Sequence, residues 1–388
     1  MAPCHRKRYA NMTALAADVA VVGAGITGAA VAYGLARRGL RVSVLDARDP
    51  LSDLAPAVAP LMVQDARLAG PGDAQLAQLA VQSWVDFDAE LADIAGCHAQ
   101  YRRDGGLHFC STEADCDARL AALRESNRLA PGAVSEFEML DAAALRRLVP
   151  RLNGALAGAS YCRDDARVNP QALRRALGLA LLRLKVDYRP HCRVQWVREQ
   201  GGEWVVMARG LAVGCGRVAI ACGVDGIGLV PPSRVVSPGL VSRAHSVVQT
   251  QPLAPFLPFA ATQFNQAGDG SLLLDTTALG VGPDADASAV RKRASALCPG
   301  IGRVGVLRSW HRDRAATPAG SPCYAPLDAA AHCWLLASPE PVLHLPVHSG
   351  LVADAVAGRI PAAGLRAFYG VPAAGQSGAA SPGIDRAG

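Results

Sequence analysis

The stretch from Asp18 to Asp46, DVAVVGAGITGAAVAYGLARRGLRVSVLD, constrains this chain more than any other part of it. Val19 to Val22 form a short apolar run of the kind a buried parallel strand requires. Gly23, Gly25 and Gly28 follow as G-x-G-x-x-G. A helix-period segment then begins at Ile26, with Ala30, Ala32, Leu35 and Ala36 among its apolar positions, and Gly39 closes it. Val42 to Leu45 form a second strand that delivers Asp46 to its tip, 18 residues after Gly28. Strand, glycine turn, helix, strand and acid are the parts of a dinucleotide grip. The helix N-terminus offers N–H groups and the positive end of a dipole to phosphates. Asp46 is placed to accept hydrogen bonds from a ribose hydroxyl.

A chain of 388 residues exceeds what one core usually organises, so two lobes are expected. Charged residues make up 19% and hydrophobic ones 51%, a balance that excludes intrinsic disorder. The net charge of +6 is mild at this length, and the one basic run, Arg6-Lys7-Arg8, is short. With few aromatics beside it, this argues against nucleic-acid binding. Eleven cysteines contain no C-x-x-C pair, so neither a zinc site nor a dithiol motif is predicted. Reduced thiols and a cytoplasmic setting are the expectation. No apolar run reaches the ~18 residues of a membrane span. Arg6, Lys7 and Arg8 leave a peripheral inner-membrane association open.

Periodicity places an amphipathic helix over 73–93, a strand over 107–110 and a charged helix over 113–129. Glu138 to Asp141 is read as the entry to a short helix capped by Asp141. Asn169-Pro170 reads as the start of a helix ending near Leu184. Val194–Val197 and Trp204–Met207 flank Gly201-Gly202 as a hairpin. Arg217 to Gly223 is a buried strand. Further strands are expected near 246–250, 259–264, 271–275, 305–310 and 333–337, with helices over 287–297 and 350–357. Prolines 339, 341 and 346 argue against a helix there, and so against a metal site built from Glu340, His344 and His348; no metal is predicted.

A nicotinamide dehydrogenase would continue with more βαβ units. This chain instead leaves the nucleotide fold after Asp46, returns near 165, makes a β-meander and ends it in Ala221-Cys222-Gly223. In this order of parts it resembles the glycine oxidase/D-amino-acid oxidase family of FAD-dependent oxidoreductases, nearest its hydrogen cyanide synthase and opine oxidase flavoprotein branch, over roughly residues 18–360. Arg103-Asp104-Gly105-Gly106-Leu107 resembles the family's short G-G-L strand, and Val168-Asn169-Pro170 its V-D/N-P helix start. Leu272 to Thr277 resembles L-L-L-G-D-T-T. Trp310 to Gly320, WHRDRAATPAG, resembles W-x-x-L-R-x-M-T-P-D-G.

The resemblance implies an α/β fold, with a Rossmann-like FAD lobe and a discontinuous mixed-sheet substrate lobe. The FAD-binding domain would comprise 14–85, 155–232 and 308–362, and the substrate domain 86–154 and 233–307. A disordered basic tail (1–13) and a flexible C-terminal tail (363–388) would flank them. FAD would contact Gly23, Ala24, Gly25, Ile26, Thr27, Gly28, Asp46, Ala47, Arg48, Val194, Ala221, Gly223, Pro341 and Val342. Arg314 falls on the family's substrate-carboxylate arginine, and Tyr324 is a second candidate substrate contact. Cys323 is a conceivable point of covalent flavin attachment.

The implied reaction is oxidation of the C–N bond of a small amino acid, imino acid or opine by hydride transfer to flavin N5. Partner subunits and a separate electron acceptor would be in keeping with that branch. Two departures from the pattern stand out. Leu51 to Pro60 contains two prolines and no glycine where the family has a Ser/Gly-rich loop. Ser338 to Leu345 places Glu340 and Pro341 where the family has a glycine-bearing loop against the isoalloxazine. They motivate an alternative, a catalytically degenerate FAD-binding or structural subunit of a hetero-oligomeric dehydrogenase.

Overall fold

The computed structural model describes residues 13–52, 59–231 and 239–366. Nearly all of the expected basic tail and of the C-terminal tail, and residues 53–58 of the proline-bearing loop, lie outside the described residues.

Thr13–Val22 is the central strand of the larger sheet. It runs parallel to Leu211–Ile220 on one side (Val22 opposite Ile220) and to Val42–Leu45 on the other (Val22 opposite Leu45). Asp187–Arg189 extends the sheet beyond Val42–Leu45, and Cys333–Ala337 extends it beyond Leu211–Ile220, both in parallel. Cys323–Pro326 closes that edge in antiparallel register. The hairpin Val194–Gln200 and Glu203–Ala208 pairs with the first half of Leu211–Ile220. One face of this sheet is covered by helices and the other by the hairpin, so Val19–Val22 and Val218–Ile220 are apolar on both faces and carry no alternation.

The helix Ile26–Arg37 packs on this sheet with small residues, ten of its twelve being buried. A Cβ at Gly34 would lie 2.0 Å from the Ser349 carbonyl oxygen, so only a missing side chain permits the approach. Arg38, just past the helix, fixes the same contact. Its guanidinium donates to the carbonyls of Gly34, Ser349 and Gly350 and to both oxygens of Asp354, joining segments more than 300 residues apart. Pro71–Ala95 covers the same core and buries Trp84, whose indole N–H donates to the Leu343 carbonyl.

Two four-stranded sheets build a second core. One is ordered Phe264–Gln266, Leu272–Asp275, Val241–Thr250, Val306–Ala316; the other is Ala260–Ala261, Gly106–Cys110, Gly158–Cys162, Phe137–Asp141. Leu107, Phe109, Ala159, Val248, Phe264, Leu272 and Leu274 meet in it, covered by Val290 and Ala294 of the helix Ala287–Leu297.

Three sequence expectations need correction. Phe137–Asp141 is a strand before it is a helix entry: its edge position in the small sheet outweighs the local helix signal, and Asp141 caps the helix Ala142–Leu148 from the strand's end. The helix expected from residue 350 begins at Leu345, with Pro346 in its first turn, where no N–H partner is lost. It continues through a π-helical turn, His348–Val352, to Val356. Ala363–Arg366, assigned to the tail, is a helical turn with Leu365 buried in the main core.

A polar network joins the two cores. Asp165, fully buried, accepts from the backbone and side-chain amides of Gln64. Gln64 Oε1 accepts from Ser160 and Arg119, and Arg119 also bonds Asp65 at 2.6 Å. Burial, then the neighbouring Asp65 charge, pushes the Asp165 carboxyl up to about 8. An acid held above its unfolded value of about 3.9 stabilises the fold while protonated, and that contribution is lost as pH rises towards 8. The thermal midpoint should therefore fall between about pH 6 and 8.5 by more in the wild type than in Asp165→Asn. Equal slopes in a melting series across that range would remove Asp165 as the cause.

Candidate active site

The three glycines of the fingerprint are required for different reasons. Gly23 has φ +100°, and a Cβ there would sit 2.7 Å from the Ala221 carbonyl oxygen. At Gly28 a Cβ would lie 1.9 Å from the Gly23 carbonyl oxygen. Both are demands of the protein's own packing. Gly25 is different: a Cβ there would meet nothing within 4 Å, although Gly25 caps the helix with no side-chain cap of its own. No internal contact requires a glycine here. A group bound close to the backbone beside the first-turn N–H groups of Ile26, Thr27 and Gly28 would, and in that respect the loop fits FAD.

Asp46 ties the loop together. Its Oδ2 accepts from the Ala24 N–H at 2.7 Å and its Oδ1 from the Arg48 N–H at 2.8 Å. The backbones of Asp46 and Arg48 also accept from Cys192 and His191, which brings Val194 beside them and Ala47 at the head of the hairpin. Ala221 donates to the Val22 carbonyl, and Gly223, with φ +71°, turns the chain into the 3-10 segment Gly223–Leu229. The fingerprint residues, Asp46–Arg48, Val194, Ala221 and Gly223 thus gather at the carboxyl end of the parallel sheet, the expected place for a nucleotide.

A second group lies where the long strand Val306–Ala316 meets the segment after Cys333–Ala337. Arg314 Nη1 donates to Glu340 Oε1 at 2.9 Å, and its Nη2 is 3.7 Å from Asp275 Oδ2 at the end of Leu272–Asp275. Solvent reaches 39% of both the Arg314 and Glu340 side chains, yet the surrounding protein crowds the carboxyl. Burial raises the Glu340 carboxyl above its ordinary value; Arg314 opposes the rise, and the charges of Asp275 and Asp65 add to it.

Asp65 faces the same region. Its carboxylate takes bonds from Arg119 and Thr262, with His108 Nδ1 3.5 Å away. Burial would push this acid up, but the His108 hydrogen bond and the Arg119 charge hold it down at about 2. Sequence reasoning missed Asp65, His108 and Thr262. They stand on three separate segments and share no local motif, so only their convergence identifies them.

Pro341 and Val342 lie in the turn before Leu345, where the Glu340 carbonyl accepts from the His344 N–H. The turn therefore does bring His344 and His348 together, with ring centroids 6.3 Å apart, against the expectation drawn from the prolines. Both rings are buried, and burial lowers His344 to about 3 and His348, next to it, well below its ordinary value. Glu340 turns away from them to Arg314, and no group of three or more metal-ligating side chains occurs among the described residues.

Tyr324 lies on the edge strand Cys323–Pro326. It is buried in the main core, and its hydroxyl lies 2.6 Å from His348 Nε2. Strand alternation turns it inward from the edge strand. Cys323 is also buried, and burial pushes its thiol up to about 12, which leaves it a thiol and not a reactive thiolate. His311 bonds Ser246 at 2.7 Å, and Arg243, opposite Arg314 on the neighbouring strand, donates to the Pro318 carbonyl.

Residues 18–355 match the family model described as FAD dependent oxidoreductase, DAO. The chain belongs to this family of FAD-dependent oxidoreductases. The family match supplies the cofactor, FAD, and the general class of chemistry. Among curated relatives, an opine oxidase subunit of Agrobacterium tumefaciens (strain Ach5) is 27% identical over 347 residues, 88% of this chain and 93% of that protein. Glycine oxidase of Bacillus licheniformis is 27% identical over 221 residues, 56% of this chain and 55% of its own length. In structure, the fold matches glycine oxidase from Geobacillus kaustophilus with a TM-score of 0.77 at 24% identity, covering 89% of this chain and 95% of that one. In family members of this kind the flavin carries the redox chemistry and the protein orients the substrate. No helix among the described residues is long and apolar enough to cross a membrane.

Proposed function

We propose that this FAD-dependent oxidoreductase oxidises the C–N bond of a small amino acid, imino acid or opine, with Arg314 binding the substrate carboxylate. One observation carries the reading: a partly exposed guanidinium stands on the edge strand Val306–Ala316, flanked by Glu340 and Asp275 and reached by solvent. Guanidinium recognises carboxylate through two parallel N–H bonds. FAD, when bound, would supply the two-electron acceptor for this oxidation. The chain's own residues bind and orient. Gly23, Gly25 and Gly28 with Asp46 hold the adenine half, Pro341 and Val342 border the ring half, and Arg314 sets the carboxylate. Likeness to an opine oxidase subunit and to glycine oxidase supports the substrate class.

The test is anaerobic addition of glycine, alanine, proline and iminodiacetate to the FAD-loaded protein. Bleaching of the flavin's visible bands by at least one of them is expected. Arg314→Met should then lower kcat/KM by about 100-fold or more, roughly the 2.7 kcal/mol of a lost charge-assisted contact. A second reading, a non-catalytic subunit in a larger assembly, draws on the Glu340–Arg314 pair and on Pro341, which has no N–H to offer the ring. Retention of FAD without reduction by any member of the panel favours it.

A further inference from the structure

The Arg314–Glu340 pair is an ion pair at the place proposed for an amino-acid zwitterion. Among the described residues, Arg314 is the one side chain hydrogen-bonded to the Glu340 carboxyl. Of the other two acids around it, Asp65 takes bonds from Arg119 and Thr262, and Asp275 accepts from the Ala278 N–H through Oδ1 while its Oδ2 stays 3.7 Å from Arg314. We propose that Glu340 is a catalytic residue that receives the substrate's ammonium group and accepts its proton, while Arg314 takes the carboxylate. This rests on Arg314 being the carboxylate clamp.

The geometry carries it. In an amino acid the nitrogen lies about 2.5 Å from the carboxylate carbon, by the N–Cα and Cα–C bond lengths. A carboxylate seated on Arg314 therefore holds its nitrogen within reach of an acid flanking the same guanidinium at 2.9 Å. The zwitterion replaces the internal pair with two pairs of the same kind, so the exchange leaves no charge unmatched. A simple carboxylate offers no such return. It displaces Glu340 from Arg314 and leaves it facing Asp275 and Asp65 with no cation, a like-charge arrangement that disfavours binding. The site is thereby selective for amino over hydroxy acids.

The proton step is simple to balance. The N–H bond of the ammonium breaks, the proton bonds to Oε1 of Glu340, and the electron pair stays on nitrogen as the lone pair that assists departure of the α-hydride. A carboxyl raised by burial is better matched to this task than an ordinary one. The groups facing Glu340 are Arg314 on Val306–Ala316, Asp275 on Leu272–Asp275, and Asp65 on Val63–Ala66, with His108 of Gly106–Cys110 behind Asp65.

The experiment compares glycine and iminodiacetate with glycolate, which keeps the carboxylate and lacks the amine. Dissociation constants are read from the spectral perturbation of bound FAD and by calorimetry, with no turnover required. The wild type should prefer the amines. In Glu340→Gln the ratio of amine to glycolate affinity should fall at least about 30-fold, through tighter glycolate and weaker amines, and Glu340→Asp should restore part of it. Glycolate should also bind the wild type more tightly as pH falls, because protonation of Glu340 releases Arg314; that slope should vanish in Glu340→Gln. Arg314→Met separates the two ideas. If it abolishes binding of all three ligands while Glu340→Gln leaves the ratio unchanged, the role of Glu340 is overturned and the clamp stands. If it changes none of the affinities, the clamp itself is wrong. Failure of every ligand to bind the wild type overturns both.

Discussion

Gly28→Val should abolish folding of the nucleotide half, and Gly25→Val should not. At Gly28 the first added carbon would stand 1.9 Å from the Gly23 carbonyl oxygen and 3.3 Å from the Ala221 Cβ. The obstructing oxygen belongs to the turn ending the central strand, and it cannot move without parting helix Ile26–Arg37 from the sheet. A backbone collision of that depth exceeds what relaxation absorbs, and a loss above about 4 kcal/mol is expected. Gly25 has φ −58°, which any residue adopts, and open space at its Cβ. Its substitution should cost the apo-protein no more than about 1 kcal/mol. The same side chain would stand between the backbone and the pyrophosphate, so FAD affinity should fall by about 100-fold, near 2.7 kcal/mol. Chemical denaturation of the apo-proteins and fluorimetric FAD titration measure the two quantities separately. Equal FAD affinity in Gly25→Val and the wild type would show that the cofactor does not approach this loop.

Arg119→Met should be the most costly substitution in the polar network between the cores. Arg119 is 7% exposed and donates to Ser160, Gln64 and Asp65. Methionine fills similar volume but donates nothing. Asp65 loses its closest cation, and Gln64 Oε1 keeps a single donor. Breaking a buried pair by removing one partner costs about 3–5 kcal/mol. Asp65 retains Thr262 and some solvent, so the lower end, about 3 kcal/mol, is expected. A urea melt should show it as a lower midpoint. Asp65→Asn in the same background should recover part of the loss, since it removes the charge left without its partner. An additive double-mutant cycle would mean that the pair contributes nothing to stability.

These two expectations differ in how far the sequence announced them. The glycine turn was legible because its physics is local: a tight turn, a helix start and a strand end fall within a few residues. Helices over 71–95, 113–129, 170–183 and 287–297 were legible for the same reason, each carrying its own period and, in three of them, a side-chain cap at Thr112, Asn169 or Asp286. The strand Phe137–Asp141 was not, because its pairing with Gly158–Cys162 supplies what its own composition lacks. The prolines from 339 to 346 were read too strictly as helix breakers; a proline in the first turn of a helix breaks nothing.

The sequence by itself determined the nucleotide grip around Gly23–Gly28, because that depends on spacing along the chain, and the resemblance of its later motifs pointed to the family and the cofactor. It also placed Arg314 on a recognisable motif. Only the tertiary structure decided what surrounds that arginine. Glu340 and Asp275 reach it from segments 26 and 39 residues away, the charge of Asp65 acts on Glu340 from the helix Val63–Ala66, and Tyr324 lies in the core beside His348. Opposite charges brought together from distant segments have no signature in one dimension. Their energies depend on distance and burial, and both are set by packing.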